Sequence, residues 1–206
     1  MANRVFISFR FDDGKSYKDE LVRRFEKDSE VINCSEDKDR SEYTDETIKK
    51  YLYGKLSNTS VTIVILTPKA IKHQKDYFGR YDDWMYDEIR YSLEDRDYNK
   101  PNGLIAVYTP EVANQVITNS SCHNCSKECP ILSVNWFDNL VRYNMMNVKS
   151  KYKFNPCEGI YNANLDSYCS IVSWDDFISD YTEYIKYADE KRKMIDHYDI
   201  KKDLNK

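Results

Sequence analysis

The stretch "SVTIVIL" (residues 60–66) decides the fold class of this 206-residue chain. Apolar and β-branched residues follow one another here almost without interruption, and such residues favour strands. A strand with one face in water alternates apolar and polar residues, whereas a near-continuous apolar run is typical of a parallel sheet with helices on both faces. The stretch therefore predicts a central strand of an α/β sheet.

Strand-like and helix-like segments alternate on both sides of this stretch. We predict strands at 4–9, 30–34, 60–66, 103–110 and 168–174, and helices at 14–28, within 45–60, at 81–94 and at 174–194. Strands and helices in alternation indicate a parallel sheet with right-handed crossovers. The predicted fold class is therefore α/β: a flavodoxin-like three-layer fold with a central parallel sheet of about five strands.

The alternation stops after Pro110. Residues 111–165 hold three closely spaced cysteines, scattered Asn and Ser, and one helical candidate, "WFDNLVRYNMM" at 136–146. We interpret this segment as an irregular insertion before the last strand and helix of a single domain, 1–206. The polar final stretch, "IDHYDIKKDLNK" (195–206), is expected to be solvated.

Composition argues against several classes of protein. Hydrophobic residues make up 41% of the chain and charged residues 32%, a balance typical of globular rather than disordered proteins. The net charge of −4 comes from interspersed acids and bases, which argues against binding to nucleic acid. No segment has the pattern of a signal peptide or a membrane span, so we expect a cytoplasmic protein without membrane contact. Its six cysteines are then expected to be reduced thiols or metal ligands.

One glutamate in the predicted helix "YDDWMYDEIRYSLE" (81–94) lacks a counter-ion on its own helix. Asp87 has Arg90 three residues further on, but the helical neighbours of Glu88 are all uncharged. These neighbours are Trp84, Met85, Tyr91 and Ser92. Glu88 is therefore either a solvent-facing residue whose partner comes from elsewhere in the fold, or a carboxylate kept free for a ligand.

Four segments, taken in order, resemble one protein family. They are "VFISFRFDD" (5–13), the acidic "SEDKDRSEYTD" (35–45), "LSNTSVTIVIL" (56–66) and "WMYDE" (84–88). Together they resemble the bacterial TIR and TIR-like domains, in particular the TIR-like subunits of the Thoeris anti-phage defence system. The resemblance covers residues 4–108 well and 168–194 loosely, and it leaves the insertion outside.

The resemblance implies an enzymatic activity. Enzymatic members of that family cleave the nicotinamide–ribose bond of NAD and release ADP-ribose or a cyclic or conjugated ADP-ribose messenger. For this chain it implies an NAD glycohydrolase or ADP-ribosyl cyclase with NAD as substrate, triggered by a phage component and activating a separate effector protein. The acidic loop at 35–45 takes the place of the loop through which TIR domains self-associate, which would imply a homo-oligomer. The alternative, favoured for most of its residues, is a solvated charged surface.

The resemblance also assigns roles to individual residues. The catalytic glutamate of the family matches Glu88, and Trp84 lies one turn earlier, where its ring either stacks on nicotinamide or packs at the pocket edge. Arg10 suits the pyrophosphate because its planar fork matches phosphate oxygens, and the alternative is a salt bridge to Asp12, Asp13 or the acidic loop. The implied substrate-binding residues are Ser8, Phe9, Arg10, Asp12 and Trp84.

Cleavage of NAD needs few acid–base groups. Hydrolysis of an ordinary glycosidic bond takes two carboxyl groups, one of which protonates the leaving oxygen. The leaving group of NAD is already a pyridinium cation and departs as neutral nicotinamide, so one carboxylate is enough. That carboxylate holds the ribose and stabilises the oxocarbenium-like charge, more strongly where water is excluded. Aromatic neighbours are also expected to raise the resting pKa of Glu88.

The insertion carries a cysteine motif. Cys122, Cys125 and Cys129 have the spacing C-x2-C-x3-C, and Cys157 follows further along. Four thiolates would close a tetrahedral structural zinc site. The alternative is a set of reduced surface or packing thiols. Cys34 and Cys169 lie in predicted strands and are expected in the core.

Three other functions compete with NAD cleavage. The same fold serves non-catalytic TIR protein-interaction modules, which have no need of a carboxylate among aromatic rings. N-glycosidases and deoxyribosyltransferases acting on free nucleosides also use a glutamate on a flavodoxin-like sheet. A redox flavoprotein is disfavoured, because no Ser/Thr/Gly-rich phosphate loop follows the first strand.

Overall fold

Seven strands and six α-helices are present in the computed structural model, which describes residues 2–35, 45–96, 99–121, 128–132, 137–154, 161–162 and 164–205. The strands are β1 (Asn3–Ser8), β2 (Val31–Asn33), β3 (Val61–Leu66), β4 (Gly103–Tyr108), β5 (Ile117–Ser121), β6 (Glu128–Leu132) and β7 (Cys169–Ser173). The helices are α1 (Phe11–Phe25), α2 (Asp45–Leu56), α3 (Trp84–Ser92), α4 (Ala113–Val116), α5 (Trp174–Ser179) and α6 (Tyr181–Lys193). Within the described residues, none of these helices has the length and apolarity needed to cross a membrane.

Five strands form a parallel sheet in the order β2-β1-β3-β4-β7, which confirms the predicted flavodoxin-like fold. Strand β3 occupies the centre, and all six of its residues are buried. Its Val64 and Leu66 pack with α3 and the insertion, whereas Ile63 and Ile65 pack with α1, α5 and α6. Alternate residues of a strand point to opposite faces, so the unbroken apolar run at 60–66 supplies two cores at once.

The last helical segment differs from its prediction at one point. A single helix is predicted at 174–194, but α5 and α6 are separated by Asp180, whose φ of −152° and ψ of 53° are not helical. Ser179 donates its hydroxyl to the carbonyl of Asp176, and Ser and Asp favour such local bonds over a helix interior. Beyond the break, α6 lies so close to β4 that a Cβ at Gly103 would be 2.1 Å from the carbonyl oxygen of Ala188. Only glycine allows that approach.

The insertion contributes to the core of the domain. Strands β5 and β6 pair antiparallel within it, so it is not irregular throughout. The helix predicted at 136–146 is wrong: the described part consists of turns and a short 3-10 helix, Arg142–Asn144. Phe137 and Leu140 are buried against the sheet, while the Asn139 amide bonds the backbone of Ala70 and Val141. The apolar spacing thus reflects burial, and the asparagine side chain takes up backbone groups that a helix would pair internally.

The C-terminal stretch is packed, contrary to the expectation that it is solvated. Tyr198 is buried, and Ile200 and Leu204 pack against the core on the α3 side. The hydroxyl of Tyr86, in α3, donates to Asp203 at 2.7 Å and accepts from the backbone N–H of Leu204 at 2.9 Å. Residues 195–206 are mostly polar, but an apolar residue recurs every few positions. These apolar residues pack the C-terminal stretch beside α3.

Candidate active site

The candidate site lies where the strand order of the sheet reverses. From β1 the chain moves outward to β2 and then returns to the other side of β1 as β3. Ligands of open α/β sheets bind at such a switch point, outside the carboxyl ends of the strands. Strand β1 ends here at Ser8, which is paired with Val64 of β3.

Glu88 reaches this point from α3. The hydroxyl of Ser8 donates to Oε2 of Glu88 at 2.6 Å, which joins the end of β1 to the middle of the helix. Glu88 is partly buried, and within the described residues it has no salt bridge. Its neighbour Asp87 ion-pairs with Arg90 and Lys49, as expected from the i, i+3 spacing to the arginine. The structure thus shows a carboxyl group at the switch point with a neutral hydrogen-bond donor and no paired cation.

The surroundings of Glu88 favour the protonated form of its carboxyl group. Burial raises the pKa of Glu88 to about 8, since loss of water disfavours the charged form. The Ser8 hydrogen bond and the charge of Arg10 oppose this increase, whereas the charges of Asp83 and Asp87 add to it. The direction of the shift agrees with the prediction, and the role given to the aromatic neighbours stays a prediction.

Arg10 finds a partner that the sequence analysis missed. Its Nη2 lies 2.9 Å from Oδ2 of Asp83, the residue that precedes α3, and not beside Asp12 or Asp13. Asp83 is the N-cap of α3: its Oδ1 accepts from the backbone N–H of Tyr86 at 2.8 Å. An aspartate before a helical run is a recognisable cap signal, but its pairing with Arg10 depends on how the loop 67–83 folds.

Asp83 is surrounded by donors. Besides Arg10, its Oδ2 accepts from the backbone N–H of Gln74 at 2.6 Å and lies 3.4 Å from Nδ1 of His73. Burial alone would raise the pKa of Asp83, but the neighbouring His73, the charge of Arg10 and the N–H of Tyr86 lower it to about 2. His73 is completely buried and carries no motif in the sequence, so sequence reasoning had no signal for it.

Two of the predicted substrate-binding residues point elsewhere. The side chain of Phe9 packs with the core on the α1 side, where a Cβ at Gly14 would lie 3.2 Å from that of Phe9. Asp12 is an exposed residue in the first turn of α1, and its carboxylate pairs with Lys69 at 2.7 Å. Among the described contacts none joins either side chain to Glu88. Their assignment to substrate stays a prediction.

Trp84 begins α3, one turn before Glu88. Its side chain is 37% exposed and belongs to none of the apolar clusters formed by the described residues. This exposure favours a ring at the edge of the site over a core tryptophan. The structure therefore brings Ser8, Arg10, Trp84 and Glu88 to one region and adds Asp83.

The predicted zinc site lies mostly outside the described residues. Cys122, Cys125 and Cys157 are not among them, and Cys129 is described only as part of the backbone of β6. The side chains that are described contain no cluster of three His, Cys, Asp or Glu suited to a metal ion. Zinc binding by the four cysteines stays a prediction.

The two remaining cysteines are free thiols. Cys169 is buried, as predicted. Cys34 is partly exposed, contrary to the prediction, because the edge strand β2 ends one residue before it.

The sheet order and the carboxyl group beside the end of β1 define a flavodoxin-like α/β protein with a TIR-like architecture. A comparison with protein families then identifies the group. Residues 6–114 match the family described as Thoeris protein ThsB, TIR-like domain. The match covers just over half of the chain, from β1 into α4, and includes Arg10, Asp83 and Glu88. The chain belongs to this family and is a TIR-like protein of Thoeris anti-phage defence.

Proposed function

We propose that this protein cleaves the nicotinamide–ribose bond of NAD and makes an ADP-ribose-derived messenger that activates a separate effector. One observation carries the proposal: the carboxyl group of Glu88 lies at the switch point of the sheet without an ion-pair partner among the described residues. A structural carboxylate at such a depth is usually paired, since an unpaired buried charge is costly. A carboxylate that acts on a cationic substrate has to stay unpaired until that substrate arrives.

The raised pKa of Glu88 suits this chemistry. The pyridinium ring of bound NAD carries a positive charge, and a nearby cation favours the ionised form of a carboxyl group. Substrate binding would therefore drive the proton of Glu88 to solvent and create the carboxylate where the positive charge develops. The hydroxyl of Ser8 would hold that carboxylate in place through its 2.6 Å hydrogen bond.

The bond changes then need no general acid. The C1′–N bond breaks, its electron pair goes to the pyridinium nitrogen, and neutral nicotinamide leaves. The ionised Glu88 stabilises the oxocarbenium-like ribose, an effect that strengthens in a partly dry site. A water molecule or another hydroxyl or amine nucleophile adds to C1′ and loses a proton, giving hydrolysed, cyclic or conjugated ADP-ribose.

Family membership, and not the site, supports the proposed messenger and effector. Thoeris is a defence system, and a TIR-like protein of that family is a reasonable source of a diffusible signal produced during infection. Arg10 is proposed to bind the pyrophosphate and Trp84 to contact the nicotinamide ring.

The test is NAD consumption, with products identified by mass spectrometry, in cells expressing the wild type, Glu88→Gln or Glu94→Gln, with and without phage. Gln keeps the shape of Glu88 and a hydrogen bond to Ser8 but cannot ionise. We expect Glu88→Gln to lower NAD cleavage by at least about a thousandfold, as for removal of a main stabilising group. Glu94 pairs with Arg90 at the end of the same helix, so its variant is the matched control and should act as wild type.

If NAD and nucleotide pools are the same in all strains even during infection, the enzymatic proposal is wrong. The non-catalytic interaction module would then take its place. Cleavage of free nucleosides but not of NAD would instead indicate a nucleoside N-glycosidase.

A further inference from the structure

Asp83 connects four parts of the structure through one carboxylate. Its Oδ1 caps α3, while its Oδ2 accepts from the loop N–H of Gln74 at 2.6 Å and lies close to His73 and Arg10. The side chain is only 2% exposed. Such a carboxylate is fixed from several sides and has no freedom to follow a moving partner.

Arg10 pairs with this carboxylate, but N–H donors of its guanidinium remain without an acceptor among the described residues. The distance from Nη2 to Oδ2 is 2.9 Å, but the angles do not make a hydrogen bond, and Nε likewise has no acceptor among the described residues. A guanidinium paired for stability alone usually forms two parallel hydrogen bonds to its carboxylate. Here the pair fixes the position of the guanidinium by charge and leaves donors unused, although its side chain is only 15% exposed.

The location of these donors points to a ligand. Arg10 lies two residues after Ser8, the last residue of β1, whose hydroxyl holds Glu88. Arg10 also pairs with Asp83, which caps the helix that carries Glu88, so the guanidinium belongs to the same end of the sheet as the candidate site. Unused guanidinium donors beside a dinucleotide site suit the oxygens of a pyrophosphate.

We propose that Asp83, supported by His73, is a positioning residue that holds the Arg10 guanidinium in place to bind the pyrophosphate of the substrate. This inference rests on the proposed function, because it takes the substrate to be a dinucleotide. Asp83 touches no reacting atom and acts through Arg10. His73 acts one step further away, through its contact with the same Oδ2 of Asp83.

Binding of ADP-ribose tests this role without requiring turnover. ADP-ribose has the pyrophosphate but lacks the scissile bond, so its dissociation constant can be measured by calorimetry in a protein that cleaves nothing. We expect Arg10→Ala and Asp83→Asn each to weaken ADP-ribose binding at least about tenfold, as for loss of one charge-assisted contact. Asp87→Asn, an acid of the same helix paired with Lys49 and Arg90, should bind as wild type.

A double-mutant cycle separates positioning from a general loss of structure. If Asp83 acts through Arg10, Asp83→Asn should have little further effect once Arg10 is alanine. In kinetics the same variants should raise KM for NAD with little change in kcat, because a remote phosphate contact is made equally in ground and transition states. Nicotinamide riboside has no pyrophosphate, so its KM should not depend on either residue when each variant is measured on its own pH plateau, where Glu88 is ionised.

A second variant covers the case in which Asp83→Asn does not fold. His73→Phe keeps an aromatic ring against Tyr86 and Tyr81, with which His73 makes edge contacts, and removes both ring nitrogens, including the Nδ1 that faces Asp83. We expect it to weaken ADP-ribose binding about threefold or more, and only while Arg10 is present.

The outcomes separate this inference from the proposed function. ADP-ribose binding that depends on Arg10 and Asp83 in a protein that does not cleave NAD keeps the positioning role and removes the enzyme. NAD cleavage that needs Glu88, together with wild-type ADP-ribose affinity in Asp83→Asn or His73→Phe, overturns the positioning role and keeps the enzyme.

Discussion

Asp83 and Glu88 lie five residues apart at the start and in the middle of α3, yet the protein treats their carboxyl groups in opposite ways. The pKa of Asp83 falls to about 2 and that of Glu88 rises to about 8. Both groups are withdrawn from water, so burial alone does not decide the direction. The neighbouring groups decide it: among the described residues, Asp83 accepts from two backbone N–H groups and lies beside a guanidinium and an imidazole, whereas Glu88 accepts from one hydroxyl.

This difference separates an acid that the fold saturates with partners from the acid that we propose to be catalytic, on a single helix. A saturated carboxylate stabilises the fold and is unavailable for a substrate. A buried carboxyl group with few donors lowers the stability of the fold when it ionises. Such groups are found preferentially at functional sites.

The largest effect is expected for the stability of the folded protein when Asp83 is removed. Asp83→Ala leaves a buried guanidinium without its counter-ion and two N–H groups without an acceptor, so the free energy of unfolding should fall by about 3–5 kcal/mol. Urea unfolding at pH 7 measures this. Asp87→Ala, which breaks only the longer contacts to Lys49 and Arg90, should cost about 1 kcal/mol or less. Equal losses in the two variants would remove the special status of Asp83.

The second prediction concerns how stability depends on pH. The folded-state pKa of Glu88, about 8, lies above its ordinary 4.5, so its contribution to stability is complete below pH 4.5 and is lost as pH rises to about 8. Relative to Glu88→Gln, the wild type should lose on the order of 3 kcal/mol across that window, from about 1.4 kcal/mol per pKa unit reduced for partial exposure.

Asp83 provides the internal contrast for this measurement. Its folded-state pKa is lowered, so its contribution is present above pH 3.8 and is lost only as pH falls through about 2. Between pH 4.5 and 8, Asp83 therefore does not change the free energy of unfolding with pH. Urea unfolding curves of wild type and Glu88→Gln at several pH values in that range should therefore diverge, and curves that stay parallel would contradict the raised pKa of Glu88.

The raised pKa of Glu88 should also appear in the pH dependence of NAD cleavage. If the ionised form of Glu88 is the active one, kcat/KM for NAD should rise about tenfold per pH unit and level off above pH 8, which gives roughly a hundredfold increase from pH 6. Initial rates at low NAD between pH 5.5 and 9.5 measure it. If kcat/KM instead rises and levels off near pH 4.5, Glu88 is already ionised in the free protein at neutral pH. Its pKa would then not differ from that of Asp83 in the direction described above.

The sheet could be predicted from sequence because its signals are local. The apolar run at 60–66 requires burial on both faces wherever the strand lies, and strand β3 is buried throughout. The helix predicted at 136–146 failed for the opposite reason. Its apolar residues are buried through long-range contacts, while the side chain of Asn139 breaks the local pattern.

The candidate site was predictable only where one element supplies the evidence. Glu88 stood out because its helical neighbours are uncharged, and that signal needs no tertiary structure. The partner of Arg10 could not be deduced, since Asp83 meets it only after the loop 67–83 has folded back over the end of β1. His73 belongs to the same loop, and its burial beside Asp83 has no local cause.

The smallest expected effect tests the single donor that distinguishes Glu88 from a bare buried acid. The hydroxyl of Ser8 lowers the pKa of Glu88 by stabilising its ionised form, so Ser8→Ala should raise that pKa and move the rising limb of the pH–rate profile to higher pH. A hydrogen bond to a charged acceptor contributes about 1.5 kcal/mol, which corresponds to about one pH unit. Ser92→Ala is the matched control, because Ser92 is a buried serine of the same helix whose hydroxyl donates to the backbone carbonyl of Glu88 and not to the carboxylate. If both variants move the rising limb of the pH–rate profile equally, the shift comes from a change in the helix. If only Ser8→Ala moves it, the hydroxyl of Ser8 is the group that lowers the pKa of Glu88.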